Sequence, residues 1–290
     1  MSVMPVPSAR SACLAELRRR IGLIERGRFN AGTTGKAELV VGERATSGSG
    51  LVDPLLLGGG GAEPALHELV ADGYGSLPSV RDFSLALVTS LLHRRREQPD
   101  QTESRSMVLW CQRQRDALEF GHPYGPGLRS LGLPPDRLLM VTGRREADCL
   151  WAMEQGLASR SLLAVVGMAD RVSLTASRRL SLAARAHGTW CLLLPLQHGR
   201  EPSAARTRWR IEAAPSLPDA LDPKGLGLPC WQLALERSPS GRIGRWTVEW
   251  DHATHHFHLA AARRGCLDKN TGYGDQGRQV TKIIAFDRTG

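Results

Sequence analysis

Two glycines, Gly73 and Gly75, sit between an apolar run and a helix-like run in Ala71-Asp-Gly-Tyr-Gly-Ser-Leu-Pro-Ser79. A loop of that kind can wrap a phosphate with backbone N–H groups. A working phosphate loop also ends in Gly-Lys-Ser/Thr, because the lysine neutralises the terminal phosphates and the hydroxyl holds Mg²⁺. Here Asp72, Gly73, Gly75 and Ser79 remain, no lysine is present, and Asp72 puts negative charge where phosphate would sit. The glycines therefore suit either a plain tight turn or a nucleotide seat without hydrolysis. Asn30-Ala-Gly-Thr-Thr-Gly-Lys36-Ala37 imitates the motif, but it lacks the first glycine and the final hydroxyl and follows a helix-like run instead of a strand.

A second group is the arginine row in Arg206-Thr-Arg-Trp-Arg210. Side chains alternate along a strand, so Arg206, Arg208 and Arg210 share one face while Thr207, Trp209 and Ile211 share the other. At roughly 3.4 Å per residue, three cations then stand within about 14 Å. Such a row suits phosphates or an acidic partner surface, and it equally suits an exposed edge strand protected from aggregation by its charge. Arg178, Arg179 and Arg185 form a second basic patch or a solvated helix face. His252, His255, His256 and His258 with Cys266 are metal-ligand types whose spacing matches no closed site, so no metal is expected. No Gly-x-Ser-x-Gly elbow is present, and no carboxylate pair stands at a strand end to do acid/base work. The seven tryptophans fall mostly inside apolar runs and are assigned to the core, with base stacking left open for one or two.

Strand-like and helix-like runs alternate from Leu51 onward, the pattern of a mainly parallel α/β sheet flanked by helices. Strands are predicted at 65–70, 107–111, 138–141, 162–168 and 190–196, and helices at 80–96, 146–158 and 173–187. Val80, Phe83, Leu87 and Leu91 make the apolar stripe of the first helix. The runs 207–213, 231–236 and 245–250 have no helix between them and predict antiparallel strands at the C-terminal edge. The expected division is a basic amphipathic helix (9–28) and linker to residue 50, a core over 51–251, and a polar, mobile tail over 252–290.

Residues number 290, enough for one substantial domain with extensions, and 41% are hydrophobic, enough for a core. The longest apolar runs are strand-length, far short of the roughly 20 residues of a membrane span, and no export signal marks the N-terminus, so a cytoplasmic protein is expected. Six cysteines without a CxxC pair suit buried thiols in a reducing compartment. The net charge of +9 favours polyanionic partners. Only four of the 38 cationic residues are lysine, a skew that a GC-rich genome produces without selection.

The order of these elements, with Leu57-Gly-Gly-Gly-Gly, Ala65-Leu-His-Glu68, Val108-Leu-Trp-Cys111, Tyr124-Gly-Pro-Gly-Leu128, Leu150-Trp-Ala-Met-Glu154, Leu174-Thr-Ala-Ser-Arg-Arg-Leu180 and Ala205-Arg-Thr-Arg-Trp-Arg210, resembles the inducible mutagenesis protein A family (ImuA). The match runs from about Leu51 to Asp251. The resemblance implies a RecA-like core and an SOS-induced accessory role in error-prone translesion DNA synthesis, beside an ImuB-like Y-family polymerase homologue and an error-prone C-family polymerase. RecA and DNA are further expected partners, and the location is cytoplasmic and nucleoid-associated. Hydrolysis on the RecA plan also needs an acid at the end of a central strand and a carboxylate after the neighbouring one. The first position reads Gly167-Met168 and the second Cys111-Gln112-Arg113. No catalytic residue and no cofactor are therefore expected. Two rival readings stay open: a SulA-like, damage-induced inhibitor of cell division, and an ATPase with an unconventional site.

Overall fold

A computed structural model describes residues 64–96, 105–159, 161–196, 202–216, 225–239 and 243–260. The predicted N-terminal helix, the linker with its imitation phosphate loop, the Leu57–Gly61 segment and the part of the tail beyond residue 260, with Cys266, lie outside the described residues.

Among the described residues, nine strands form a single sheet in the order β3-β2-β4-β5-β1-β6-β7-β8-β9. The parallel part comprises β1 (Leu66–Ala71), β2 (Met107–Arg113), β3 (Leu138–Gly143), β4 (Leu162–Ala169), β5 (Trp190–Pro195) and β6 (Thr207–Ala213). The remaining strands, β7 (Cys230–Arg237), β8 (Gly244–Asp251) and β9 (His256–Leu259), are antiparallel. The expected architecture, a mainly parallel sheet with antiparallel strands at its C-terminal edge, is the one found.

Strands buried on both faces read as continuous apolar runs, and β4 is buried at every residue. One face carries α1 (Leu77–Arg96); the other carries α4 (Glu146–Leu157) and α5 (Leu174–His187). The α5 ends are the predicted ones: the Ser173 hydroxyl accepts from the Ala176 N–H at 3.2 Å, and Gly188 stops the helix at φ 62. Gly167 marks no strand end. It lies inside β4, where a Cβ would stand 2.1 Å from Met153 Sδ, so glycine is the notch that lets α4 seat on the sheet.

The predicted stripe Val80, Phe83, Leu87, Leu91 is buried, but so are Leu85, Ala86, Val88 and Leu92 on the other side of α1. A helix buried all round is enclosed. On the stripe side the antiparallel strands meet it: the Phe83 ring lies 5.7 Å from Trp231 of β7 and 5.2 Å from Phe257 of β9. The core boundary expected at Asp251 is therefore corrected. The sheet runs on through β9, and Phe257 is fully buried against Trp250 despite its histidine neighbours.

Two short helices absent from the expected order, α2 (Gln114–Phe120) and α3 (Gly125–Leu131), fill the connection from β2 to β3. Pro126 is tolerated in the first turn of α3, and Gly132 ends that helix at φ 94, under the ring of His255.

Candidate functional site

In an open α/β sheet ligands bind beyond the carboxyl ends of the strands, where neighbouring strands send their connections in opposite directions. That point lies here between β2, whose chain continues outward to β3, and β4, whose chain continues inward to β5. It is occupied by the protein's own charges. Arg113, the last residue of β2, donates from Nε and Nη2 to Asp116 and from Nη1 and Nη2 to Asp170, all within 2.5–2.7 Å. Arg115 adds a 2.6 Å bond to Asp170, and Glu146 at the start of α4 lies 3.8 Å from Arg113 Nη1 while accepting the Asp170 N–H at 2.8 Å. The side chains of Arg113 and Asp116 are 7% and 1% exposed. Bonds to Asp170 and then to Asp116 raise the Arg113 pKa, and the same guanidinium lowers that of Asp170.

Asp170 corrects one expectation. Because β4 runs through Gly167 to Ala169, an acid does stand at its end; it is Asp170, and two arginines hold it. The second expected acid position is Gln112, which is buried and structural: its Oε1 accepts from Trp110 Nε1 at 2.7 Å and its Nε2 donates to His122 Nδ1 at 2.8 Å.

Above the cluster, α2 crosses the rim from the tip of β2 towards β1. Three strand spacings separate those tips, about 14 Å, and seven helical residues cover about 10 Å of it. The Phe120 ring meets Tyr74 of the β1 loop at 5.6 Å, and the Tyr74 hydroxyl donates to Glu119. Arg81, in the first turns of α1, donates to the carbonyls of Phe120 (2.5 Å) and Gly121 (2.9 Å) beneath the rings of Trp110 and Phe120. The cation in the first turns of α1 thus caps α2, and burial lowers its pKa.

The loop itself is short, five residues from β1 to α1 with a 3-10 turn at Tyr74–Ser76. Gly73 is extended (φ −161), and a Cβ at Gly73 or Gly75 would touch nothing within 4 Å, so neither glycine serves a strained turn or a close approach. Pro78 removes one N–H from the first turn of α1, where Ser79 sits half-buried. Asp72 is paired with Arg210 Nη1 at 2.8 Å.

The arginine row has the predicted alternation, with Thr207, Trp209 and Ile211 buried. Its setting differs from the edge-strand alternative: β6 lies inside the sheet between β1 and β7. Arg208 bonds Glu68 of β1 at 2.7 Å and Arg210 bonds Glu236 of β7 at 2.6 Å. The row therefore bridges the parallel and antiparallel parts. On α5, Arg178 is exposed and Arg179 pairs with Glu154 of α4. Neither patch joins the β2/β4 cluster.

The histidines diverge. His252 Nδ1 meets the Ser130 carbonyl at 2.9 Å, His255 stacks 4.1 Å from His93, and His258 lies 3.7 Å from Asp251. Among the described residues no three His, Cys, Asp or Glu side chains converge to hold a metal. Cys111, Cys149, Cys191 and Cys230 are buried free thiols, and burial pushes the Cys111 pKa up to about 12.

Sequence reasoning missed Arg81, Arg113, Arg115, Asp116, Glu146 and Asp170. One signal was available: Asp170 directly follows the longest apolar strand.

No family model matches the chain. Two curated relatives, both described as Protein ImuA, from Caulobacter vibrioides strains NA1000 / CB15N and ATCC 19089 / CIP 103742 / CB 15, are 31% identical over 242 residues, covering 79% of this chain and 92% of theirs. The chain belongs to the ImuA family. The solved structure of SulA from Pseudomonas aeruginosa superposes with a TM-score of 0.30 at 22% identity, over 45% of this chain and 96% of SulA. So loose a superposition transfers no function to this ImuA family member. No described helix is long and apolar enough to cross a membrane.

Proposed function

We propose that this ImuA family member is a non-catalytic accessory subunit of damage-induced, error-prone DNA synthesis that works by binding partners. The observation that carries the reading is the Arg113 clamp on Asp116 and Asp170 at the β2/β4 switch point, roofed by α2. A carboxylate held ionised by two guanidinium groups is a weak base at neutral pH, and its oxygens are already filled. With no lysine in the β1 loop and Pro78 in the first turn of α1, neither the γ-phosphate nor its Mg²⁺ has a ready partner. The ancestral crevice serves as packing, and the outer surface is left to do the work.

The partners the reading names are an ImuB-like Y-family polymerase homologue, then RecA and an error-prone C-family polymerase, in the cytoplasm at the nucleoid. ATP turnover is measured with and without single-stranded DNA; no hydrolysis above background is expected, and DNA-stimulated turnover refutes the non-catalytic reading. Capture of the ImuB-like partner by the full chain, lost on removal of residues 1–28 or 265–290, supports a role for the ends. Unaltered capture by both truncations refutes that role.

A further inference from the structure

The two helical layers are finished differently. Whereas α1 is buried all round, α4 and α5 bury only the sides that meet the sheet, through Cys149, Met153 and Leu157 and through Leu180 and Ala184. Their outer side leaves Trp151 63% and Leu182 62% exposed. Both helices return from the carboxyl ends of parallel strands, so they run side by side in one direction, and the Glu154–Arg179 pair sets them level. Trp151 stands one turn before that pair on α4, and Leu182 one turn after it on α5. With about 9 Å along the axes and about 9 Å between them, the two lie on the order of 13 Å apart. At about 100° per residue, Arg178 and Arg185 follow Leu182 round α5, away from α4, and are themselves two turns apart. Both arginines are exposed, and no carboxylate of the described residues lies within 4 Å of either.

We propose that this outer face of α4 and α5 docks an amphipathic helix of another protein, with its apolar stripe over Trp151 and Leu182 and its carboxylates over Arg178 and Arg185. The inference rests on the reading of the chain as a partner-binding subunit and assigns that reading a surface. Positions i and i+7 or i+8 of such a helix lie about 10.5–12 Å apart, close to both spacings. Charge selects the occupant. Residues 9–28 carry six arginines against two glutamates, and residues 261–290 carry six cations against three aspartates, so this face repels both ends of its own chain. A second copy would present the same arginines. Single-stranded DNA would satisfy the arginines and could stack on Trp151, but it gains nothing from Leu182 between them. Tryptophan and arginine around an apolar contact are the composition of a protein interface.

The purified ImuB-like partner is titrated onto the full chain, and wild-type binding is expected. Trp151→Ala with Leu182→Ala weakens it by at least about tenfold. Arg178→Glu with Arg185→Glu weakens it at low salt, and less at high salt, where the wild type loses the same attraction. These four side chains are exposed, so neither double variant shifts the denaturation midpoint. p-Benzoylphenylalanine in place of Leu182 cross-links, on irradiation, to a segment of the partner whose apolar stripe is flanked by carboxylates. No binding by the wild type refutes the partner-binding reading for this partner, and the inference falls with it. Wild-type binding that both double variants retain, or a cross-link to a second copy or to the chain's own ends, leaves that reading standing and overturns the inference. So does loss of single-stranded DNA binding in the Trp151 variant with capture of the partner unchanged.

Discussion

At the tips of β2 and β4, two guanidinium groups and three carboxylates pack under α2, whereas around Phe257 at the far end of the sheet the contacts are rings on rings. Both regions close a surface that a bare parallel sheet leaves open. The charged one fills the crevice beyond the strand tips, and the aromatic one seats Phe83 of α1 against the antiparallel strands. Their physics differs in ways that can be separated. Apolar burial is not screened by simple salt such as NaCl, while an ion cluster carries a desolvation cost that only its full set of partners offsets. The comparison teaches that this sheet keeps its rim by mutual charge neutralisation and its antiparallel extension by packing, so a change at one should leave the other's signature intact.

The largest effect is expected on the aromatic side. Phe257→Ala empties a fully buried site between Phe83, Trp231 and Trp250, and should cost about 3–5 kcal/mol in denaturant unfolding, equally at low and high salt. A loss below about 1 kcal/mol would mean that β9 does not hold the extension over α1. On the charged side, Arg113→Ala strips the buried Asp116 of its bidentate partner, leaving it only Arg115 Nε at 3.6 Å among the ion pairs, and leaves Asp170 with Arg115 alone. Breaking such a pair costs about 3–5 kcal/mol, and the lower end applies because the side chain keeps slight solvent contact and Asp170 keeps a second cation. If Arg113→Ala is neutral, the cluster is decoration, and the argument from the filled crevice fails with it.

Acid separates the halves next. Burial, then the facing His93, His252 and His256, lowers the His255 pKa from its ordinary 6.5, against the opposing pull of Asp251. The folded chain therefore prefers the neutral ring. Its contribution is whole above pH 6.5 and is lost as pH falls through the lower folded value. Asp170, lowered from 3.8 by Arg113, contributes fully above pH 3.8 and gives way only as pH falls through its folded value. The extension should thus weaken at mildly acid pH while the rim holds. His255→Asn tests the assignment, since asparagine accepts the φ of 56 at this position. The variant should lose the fall in denaturation midpoint between about pH 7.5 and 5.5; a fall that persists would move the effect to another histidine.

Much of the fold was legible because strand burial writes itself into sequence. The runs at 162–168 and 190–196 are apolar throughout, and the alternation at 206–211 gives both faces of β6 correctly. The failures have local causes. Gly167 looked like a strand terminus, when its missing Cβ makes room for Met153; the strand ran on, and Asp170 was missed as its acid. The α2 helix is too short for a periodic signal, and α3 begins Gly-Pro-Gly, which reads as a turn. Two histidines hid β9, because polarity of the flanks says nothing about the burial of Phe257 between them. Nothing in one dimension says that Arg113 and Asp170, 57 residues apart, share a bidentate bond.

The smallest effect belongs to the arginine row, where the halves meet. Arg210 reaches Glu236 and Asp72 from a side chain 31% exposed; burial works against its charge, but the two carboxylates outweigh it and its pKa rises. Pairs this open contribute little once screened, so Arg210→Ala should cost under about 1 kcal/mol, and less at high salt. The same pairing bears on DNA. Arg208 and Arg210 already meet carboxylates, so a phosphate would have to displace Glu68 from one and both Asp72 and Glu236 from the other. Replacing Arg206, Arg208 and Arg210 together with alanine should then leave the salt dependence of any DNA binding unchanged. A log–log slope that flattens by about 0.9 per residue lost would show that duplex phosphates win that competition, and would make the junction of the two halves a nucleic-acid surface.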